Sequence, residues 1–302
     1  MSWQGTILNQ VLKRTMKPMM FSGRITRARM GISAWALEAS AGLVPTPSAC
    51  ITPLKGAVRG EWVEVEAAER ASTVILYMHG GAYIAGSPRT HRPLTAELAR
   101  STGARVLALD YRQAPEHAYP AWLEDGVAAY QHLLKSGERP QHIVLAGDSA
   151  GGNLVLVTLL RLKELGLPLP AGAICLSPWT DLACRYQSHK TNAGHEAMLK
   201  PDAIRALGEH HIGGNDPKHP LISPAYAELD GLPPLMVHVG THEILLDDAR
   251  AIRRNAKRAG VHLHYREWPG MPHVFPLFHR FLPEGRKAIT QMALFVKDVT
   301  GA

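Results

Sequence analysis

The sequence of 302 residues has few cysteines and no long apolar run. Its three cysteines, Cys50, Cys175 and Cys184, are too few for a disulfide framework, and no two form the CxxC pair of zinc and redox sites. A transmembrane helix needs about 18 consecutive apolar residues, and the most apolar candidate, residues 30–44, is interrupted by Glu38. The first residues also lack the apolar segment and cleavage site of a secretory signal. We therefore predict a cytoplasmic protein without stable membrane insertion.

Acidic residues are almost absent from the first 60 positions, where Glu38 stands against eight lysines and arginines. This segment accounts for the whole formal net charge of +7. Because no nucleic-acid-binding motif accompanies the basic residues, we interpret them as the solvated face of a helical segment and predict no nucleic-acid partner. The segment is also rich in methionine, which adapts to apolar surfaces of variable shape. Its apolar side chains either dock the segment on the body of the protein or line a ligand pocket, and the candidates are Trp3, Met16, Met19 and Met20.

Beyond residue 50, short aliphatic runs alternate with segments of helical periodicity. A half-exposed strand is predicted at 63–66, and buried strands are predicted at 73–78, 105–109, 142–146, 173–176, 235–239 and 261–265. Helices are predicted at 94–100, 122–134, 154–165, 247–259 and 286–296. This alternation favours a parallel sheet covered on both faces. We predict one α/β domain at 51–302, an N-terminal segment at 1–50 and an insertion at about 182–222.

The strongest chemical signal is a G-x-S-x-G motif at residues 147–151, between a predicted strand and a predicted helix. In this setting the motif is a nucleophile elbow, a turn so tight that glycines must flank the serine. The turn would expose the hydroxyl group of Ser149 at the edge of the sheet. It would also aim the amide of Ala150 at negative charge developing on a bound carbonyl group. The sequence therefore predicts that Ser149 is a nucleophile for acyl transfer.

A second glycine-rich loop, HGGAY at residues 79–83, directly follows a predicted strand. Glycines at this place let backbone amides approach a substrate oxyanion closely, as in the HGGG-type loops of esterases and lipases. We predict an oxyanion hole formed by the amides of Gly81, Ala82 and Ala150, with Gly80 shaping the loop.

Sixteen histidines compete for the role of catalytic base. In this architecture the base follows the nucleophile along the chain, which leaves His79 a structural role. His273 lies in a loop just after the last predicted strand, where the triad histidine of this architecture belongs. No histidine occurs in an HExxH motif or another metal-ligand spacing, so we predict no metal and no cofactor.

The acid that supports the base should follow the strand predicted at 235–239. Glu243 lies in the loop after this strand, and Asp247 comes about one turn into the following helix. We choose Glu243 as the acid that orients His273. Asp247 remains the competitor, and its alternative role is that of a helix-start carboxylate favoured by the helix dipole.

Together these motifs resemble the bacterial hormone-sensitive-lipase-like family of α/β-hydrolase carboxylesterases. The resemblance spans about residues 72–300 and rests on HGGAY at 79–83, DYRQAPEH at 110–117, GDSAGGN at 147–153, SPWTD at 177–181, the acid loop at 240–247 and the Pro-His pair at 272–273. It implies an α/β-hydrolase with a mostly parallel eight-stranded sheet flanked by helices. A helical cap would come from the N-terminal segment and from the insertion after the sixth strand.

The resemblance also implies hydrolysis of short- to medium-chain carboxylic esters of small molecules without a cofactor, and it makes a homodimer a candidate assembly. Among the residues of the matching blocks, we assign Tyr83 and Asp148 to substrate binding. Of the positions that depart from the family pattern, two bear on the site. Ala82 replaces the third glycine of HGGG but still supplies an amide, and its methyl group would narrow the space on the acyl side of the site. Glu243 stands where the family usually has aspartate, so its longer side chain must reach His273 from a different backbone position.

The same three side chains leave other functions open. They would support acyl transfer to an alcohol or an amine instead of water. The basic, methionine-rich N-terminal segment would also suit a lipase that acts at a membrane surface. A small-molecule receptor of the same fold would have lost the triad, whereas Ser149 and His273 are both present. We therefore predict a serine carboxylesterase.

Overall fold

The structure, a computed structural model, describes residues 1–19, 25–41, 45–65 and 72–301. Its strands are β1 (Cys50–Leu54), β2 (Gly60–Glu64), β3 (Val74–Met78), β4 (Arg105–Leu109), β5 (Ile143–Asp148), β6 (Gly172–Leu176), β7 (Leu235–Gly240) and β8 (Leu263–Trp268). The α-helices in the described residues are α1 (Trp3–Met19), α2 (Arg27–Ser40), α3 (Pro88–Thr102), α4 (Ala121–Lys135), α5 (Ala150–Glu164), α6 (Ser188–Thr191), α7 (Pro201–Ile212), α8 (Leu246–Arg258) and α9 (Pro283–Thr300). From β3 to α9, each strand is followed by a helix, except that two helices, α6 and α7, follow β6.

The strands form one eight-stranded sheet in the order β1-β2-β4-β3-β5-β6-β7-β8. β2 pairs antiparallel with both β1 and β4, whereas every neighbouring pair from β4 to β8 is parallel. Helices α3 and α9 pack on one face of the sheet, and α4, α5 and α8 pack on the other. The predicted fold, a mostly parallel eight-stranded sheet flanked by helices, is confirmed.

The central strands are apolar along their whole length because each one contributes alternate residues to two cores. In β3, Leu76 and Met78 face α4 and α5, whereas Ile75 and Tyr77 face α3 and α9. The carboxyl ends of these parallel strands lie at one edge of the sheet. The loops that follow β3, β5, β7 and β8 therefore meet there, as ligand-binding loops of open α/β sheets do.

The sequence prediction differs from the structure at the outer strands. It omits β1, because Pro53 lies within this mostly exposed edge strand, a position where proline is tolerated. β2 ends at Glu64 instead of residue 66, which lies outside the described ranges. β8 begins at Leu263 instead of Val261, because Val261 directly follows the turn after α8, and it extends three residues further than predicted.

Helices α1 and α2 precede the sheet, and α6 and α7 lie between β6 and β7. Trp3 on α1 is 70% exposed, so its side chain packs into no interior pocket, and Met16 is half-buried. The side chain of Met19 and all of Met20 lie outside the described residues. Across the part of the chain that the structure describes, no helix is both long enough and apolar enough to span a bilayer.

Candidate active site

Ser149 occupies the sharp turn between β5 and α5. Its backbone has a φ of +55°, which is uncommon for a residue other than glycine. A side chain at Gly147 would meet the carbonyl oxygen of Gly151 at 2.5 Å, and one at Gly151 would overlap the carbonyl oxygen of Met78. The flanking glycines therefore let the strand and the helix approach closely enough to form this turn.

The loop after β8 brings His273 to this turn. The imidazole Nε2 lies 2.9 Å from Ser149 Oγ, and Nδ1 lies 2.8 Å from Glu243 Oε2. The next residue, Val274, has a left-handed backbone, and its amide donates a 3.1 Å hydrogen bond to Ser177 Oγ. The sharp bend after His273 thus holds the ring between the serine and the carboxylate.

The carboxylate of Glu243 is fully buried in the loop after β7. Its Oε1 accepts a 2.7 Å hydrogen bond from Ser177 Oγ and another from the amide of Gly240. The longer side chain thus folds back toward the end of its own strand, which leaves Oε2 free to contact His273. Ser177 belongs to the SPWTD block, but the sequence carried no signal for its contact with Glu243.

Asp247 lies apart from this arrangement. One of its oxygens accepts a 2.9 Å hydrogen bond from the amide of Ser188, and the other is 3.2 Å from the guanidinium group of Arg250. The structure therefore brings Ser149, His273 and Glu243 together and places Asp247 in the first turn of α8 with other partners.

Residues between α6 and α7 hold the loop that carries Glu243. Asn192 Nδ2 donates to the carbonyl oxygens of Thr241 and Glu243 at 3.1 and 2.7 Å. The buried carboxylate of Glu196 accepts a 3.1 Å hydrogen bond from the amide of Ile244. Sequence reasoning missed Asn192 and Glu196, because polar residues in an irregular segment carry no pattern that reveals burial.

The charges around His273 favour its protonated form. Burial lowers the pKa of the imidazole, but the hydrogen bond and negative charge of Glu243 outweigh burial, and Glu196 and Asp148 add to the effect. The pKa of His273 therefore lies above its usual value. Burial also raises the pKa of Glu243, with a further contribution from the negative charge of Glu196.

The loop after β3 presents backbone amides beside Ser149. Gly81, Ala82 and Tyr83 have φ values of +120°, +53° and +60°, and a side chain at Gly81 would overlap the carbonyl oxygen of Ala85. Within the described ranges, the amides of Gly81, Ala82 and Ala150 form no hydrogen bond. These three amides thus remain free to donate to a bound oxygen atom.

Asp148, at the end of β5, holds the start of this loop. Its Oδ1 accepts hydrogen bonds from the amide of Gly80 at 3.0 Å and from the hydroxyl of Tyr77 at 2.7 Å, and it lies 3.3 Å from His91 Nε2. The amide of Gly80 is therefore engaged, and this residue shapes the loop. Asp148 is buried, and its Oδ1 is engaged in internal contacts, so its assignment to substrate binding stays a prediction.

Tyr83 is also buried beneath the loop. Its hydroxyl group donates a 2.8 Å hydrogen bond to Asn153 Oδ1, and its ring stacks on Trp122 with centroids 4.5 Å apart. A contact of Tyr83 with substrate likewise stays a prediction.

His79 contacts the loop and not Ser149. Its ring stacks on Tyr111 with centroids 4.4 Å apart, and Nδ1 lies 2.7 Å from the carbonyl oxygen of Gly80. Burial lowers the pKa of His79 to about 3, so the ring is neutral. Among the described residues, no three His, Cys, Asp or Glu side chains are arranged to hold a metal ion.

Comparison with known proteins identifies the family. Residues 75–277 match a protein family that has the α/β hydrolase fold. The chain is 46% identical to an acetyl-hydrolase of Streptomyces hygroscopicus over 266 residues, which cover 88% of each chain. It is 40% identical to an esterase of Acinetobacter venetianus over 255 residues, or 84% of each chain. It also resembles the crystal structure of an esterase from the bacterial hormone-sensitive lipase family, with 40% identity, a TM-score of 0.91 and 99% of both chains covered.

These similarities cover nearly the whole chain and include the elements that carry Ser149, Glu243 and His273. The related proteins are named as esterases and an acetyl-hydrolase, which are carboxylic ester hydrolases. The predicted family and the predicted enzyme class are therefore confirmed. The chain belongs to the bacterial hormone-sensitive-lipase-like family of α/β-hydrolases and is a carboxylic ester hydrolase.

Proposed function

We propose that the protein hydrolyses short- to medium-chain carboxylic esters of small molecules through an acyl-enzyme on Ser149. In this proposal His273 is the general base and Glu243 is the acid of the triad. The observation that supports it most strongly is the unbroken hydrogen-bond chain from Ser149 Oγ through both ring nitrogens of His273 to Glu243. An activated serine needs a base within hydrogen-bonding distance and a third group that orients the base, and these side chains satisfy both conditions.

The proposed reaction begins when His273 Nε2 takes the hydroxyl proton of Ser149 and Oγ attacks the ester carbonyl carbon. Glu243 accepts the hydrogen bond from Nδ1, so the neutral ring presents an unprotonated Nε2 to the serine, and the imidazolium that forms is stabilised. The imidazolium then protonates the leaving alcohol as the ester C–O bond breaks. Water attacks the acyl-enzyme by the same sequence and releases the acid.

The amides of Gly81, Ala82 and Ala150 would bind the oxyanion of the tetrahedral intermediate. Loss of one such donor commonly lowers the rate by about 10²–10³-fold. Ala150 adds the favourable field of a helix N-terminus, because it is the first residue of α5. The hydrogen bond from Gly80 to Asp148 supports this role by tying the loop to the strand end that precedes Ser149.

We also propose that residues 1–50 and the insertion at about 182–222 together form a cap on a catalytic domain at 51–302. Three contacts support this division. Lys13 Nζ donates to the carbonyl oxygen of Gly194 at 2.8 Å, and Lys17 Nζ donates to those of Ala193 and Glu196 at 3.0 and 2.8 Å. The N-terminal helix α1 is thereby attached directly to the insertion.

Hydrolysis of p-nitrophenyl esters is expected to be fastest on acetate and butyrate and to fall steeply toward palmitate. The names of the related proteins, acetyl-hydrolase and esterase, support this expectation, and the methyl group of Ala82 would narrow the space for the acyl chain. The measurement is kcat/KM across the series from acetate to palmitate. Activity that increases toward palmitate, with a jump when the substrate forms an interface, would instead identify a lipase.

An added alcohol tests the acyl-enzyme itself and separates hydrolysis from acyl transfer. With p-nitrophenyl butyrate and phenyl butyrate as substrates, a shared butyryl-enzyme must give the same ratio of methyl butyrate to butyric acid at one methanol concentration. We expect equal ratios, with butyric acid as the main product when methanol is dilute. Unequal ratios would contradict a common intermediate, and methyl butyrate as the main product in dilute methanol would identify an acyltransferase.

The pH dependence of kcat/KM should reflect the raised pKa of His273. Because the base acts in its neutral form, protonation removes activity, and the rate falls as the pH decreases through the pKa of His273. We therefore expect the midpoint of the acidic limb above the ordinary histidine value of about 6.5. The profile is measured with p-nitrophenyl butyrate at the isosbestic wavelength of nitrophenol, and a midpoint clearly below that value would contradict the proposed pairing with Glu243.

A further inference from the structure

His211 connects the insertion to the oxyanion loop. It lies next to the last residue of α7, and its side chain is buried. Its Nε2 is 2.8 Å from the carbonyl oxygen of Ala82, a residue 129 positions earlier in the chain. None of the motifs or reaction steps described above involves this histidine.

The buried surroundings of His211 keep its ring neutral, with the proton on Nε2. The ring contacts the rings of Tyr83, Trp122 and Trp179 edge-on, with centroids 5.6, 5.4 and 6.3 Å away. Burial lowers the pKa of His211 to about 4, so the ring is neutral where an ester hydrolase works. A carbonyl oxygen only accepts hydrogen bonds, so Nε2 must carry the single ring proton and donate it to Ala82.

The hydrogen bond from His211 acts on a stretch of backbone whose conformation costs free energy. Ala82 and Tyr83 both have left-handed φ angles, which for residues other than glycine persist only where the surroundings enforce them. The carbonyl oxygen of Gly81 accepts hydrogen bonds from the amides of Ile84 and Ala85, which ties down the peptide before Ala82. His211 ties down the peptide after it.

We propose that His211 is a positioning residue for ester hydrolysis. By fixing the peptide after Ala82, it holds the left-handed backbone of this residue in the conformation in which the Ala82 amide donates to the oxyanion. It reaches the reaction only through the carbonyl oxygen of Ala82 and touches no reacting atom. The inference rests on the proposed function, because it needs Ala82 as an oxyanion donor. It assigns the insertion a part in catalysis: α7 supplies a fixed hydrogen-bond donor for the oxyanion loop.

His211→Phe tests the proposal, because it keeps an aromatic ring among its neighbours and removes the donor. His210→Phe is the matched control, since His210 is the exposed preceding residue of the same helix. We expect His211→Phe to lower kcat for p-nitrophenyl butyrate by about 10–100-fold with KM within about twofold, because misplaced oxyanion donors affect the transition state more than the bound ester. His210→Phe should remain within about twofold of wild type in both parameters.

Two further measurements separate positioning from simple packing. His211→Gln retains an N–H group close to the position of Nε2, so it should recover most of the lost kcat although it fills the site less well. The inhibition constant of a trifluoromethyl ketone, which binds as a tetrahedral oxyanion, should increase in His211→Phe by about the same factor as kcat/KM decreases. Equal losses in the Phe and Gln variants, or unchanged binding of the ketone, would overturn the proposal.

A Ser149→Ala variant, assayed alongside, distinguishes this failure from failure of the proposed function. Retained hydrolysis in Ser149→Ala would overturn the serine mechanism and the inference with it. An inactive Ser149→Ala variant beside a fully active His211→Phe variant would overturn only the role of His211. If His211→Phe does not fold, the result for His211→Gln decides the question. A folded His211→Gln variant with a greatly lowered kcat would contradict the proposal, because the glutamine retains the hydrogen-bond donor.

Discussion

Ester hydrolysis is expected to fall by about 10⁵-fold or more when Ser149 is replaced by alanine. The substitution removes the oxygen that would form the acyl-enzyme, so His273 has no proton to accept and the bound ester has no nucleophile. The fold should be retained, because the Ser149 side chain has its hydrogen bond to His273 and supports no other element. The measurement is the initial rate with p-nitrophenyl butyrate, together with circular dichroism of both proteins.

Two controls make this result specific. Ser136→Ala changes an exposed serine at the end of α4 and should leave the rate unchanged. A fluorophosphonate should add one label to the wild-type protein, located on Ser149 by mass spectrometry, and none to Ser149→Ala. A Ser149→Ala variant that still hydrolyses the ester, or a label on another residue, would place the nucleophile elsewhere.

Glu243→Gln is expected to lower kcat by about 10³–10⁴-fold. The glutamine keeps the shape of the side chain but loses the charge that stabilises the imidazolium of His273. Its amide group also competes to donate where the carboxylate accepts, which favours the wrong tautomer of the ring. The measurement is kcat with p-nitrophenyl butyrate, and the acidic limb of the pH profile should move to lower pH in the variant because the pKa of His273 loses its main raising contribution.

Asp247→Asn is the matched comparison, since it neutralises the neighbouring carboxylate that competes for the same role. Asp247 bonds to Ser188 and Arg250 and not to His273, so we expect its kcat to stay within about tenfold of wild type. A larger loss in Asp247→Asn than in Glu243→Gln would show that the acid of the triad has been assigned to the wrong residue.

The insertion between β6 and β7 contacts both the acid loop and the oxyanion loop. Asn192 and Glu196 hold the backbone of the acid loop, and His211 holds the carbonyl oxygen of Ala82 in the oxyanion loop. Active-site loops need such support, because a donor or a base that is displaced by an ångström loses much of its effect. The attachment of α1 through Lys17 extends this support to the N-terminal segment.

Much of the fold was predictable because it depends on local patterns. The central strands are continuous apolar runs, since parallel strands covered by helices are buried on both faces. The elbow at Ser149 could also be recognised, because the tight turn leaves no space for side chains at the two flanking positions and therefore requires glycines there. β1 was not predictable, since an exposed edge strand with Pro53 carries neither apolar alternation nor a continuous apolar run.

The sequence by itself determined the fold class, the family and the short list of candidate residues, because glycine-flanked turns and strand-end loops leave local signatures. The tertiary structure alone decided which carboxylate contacts His273, since Glu243 and Asp247 differ by only four positions along the chain and the folded-back side chain separates them. It alone revealed Glu196 and His211 as buried partners of the site. Their contacts join elements far apart along the chain, and the direction and burial of such polar side chains follow from packing, which no local pattern records.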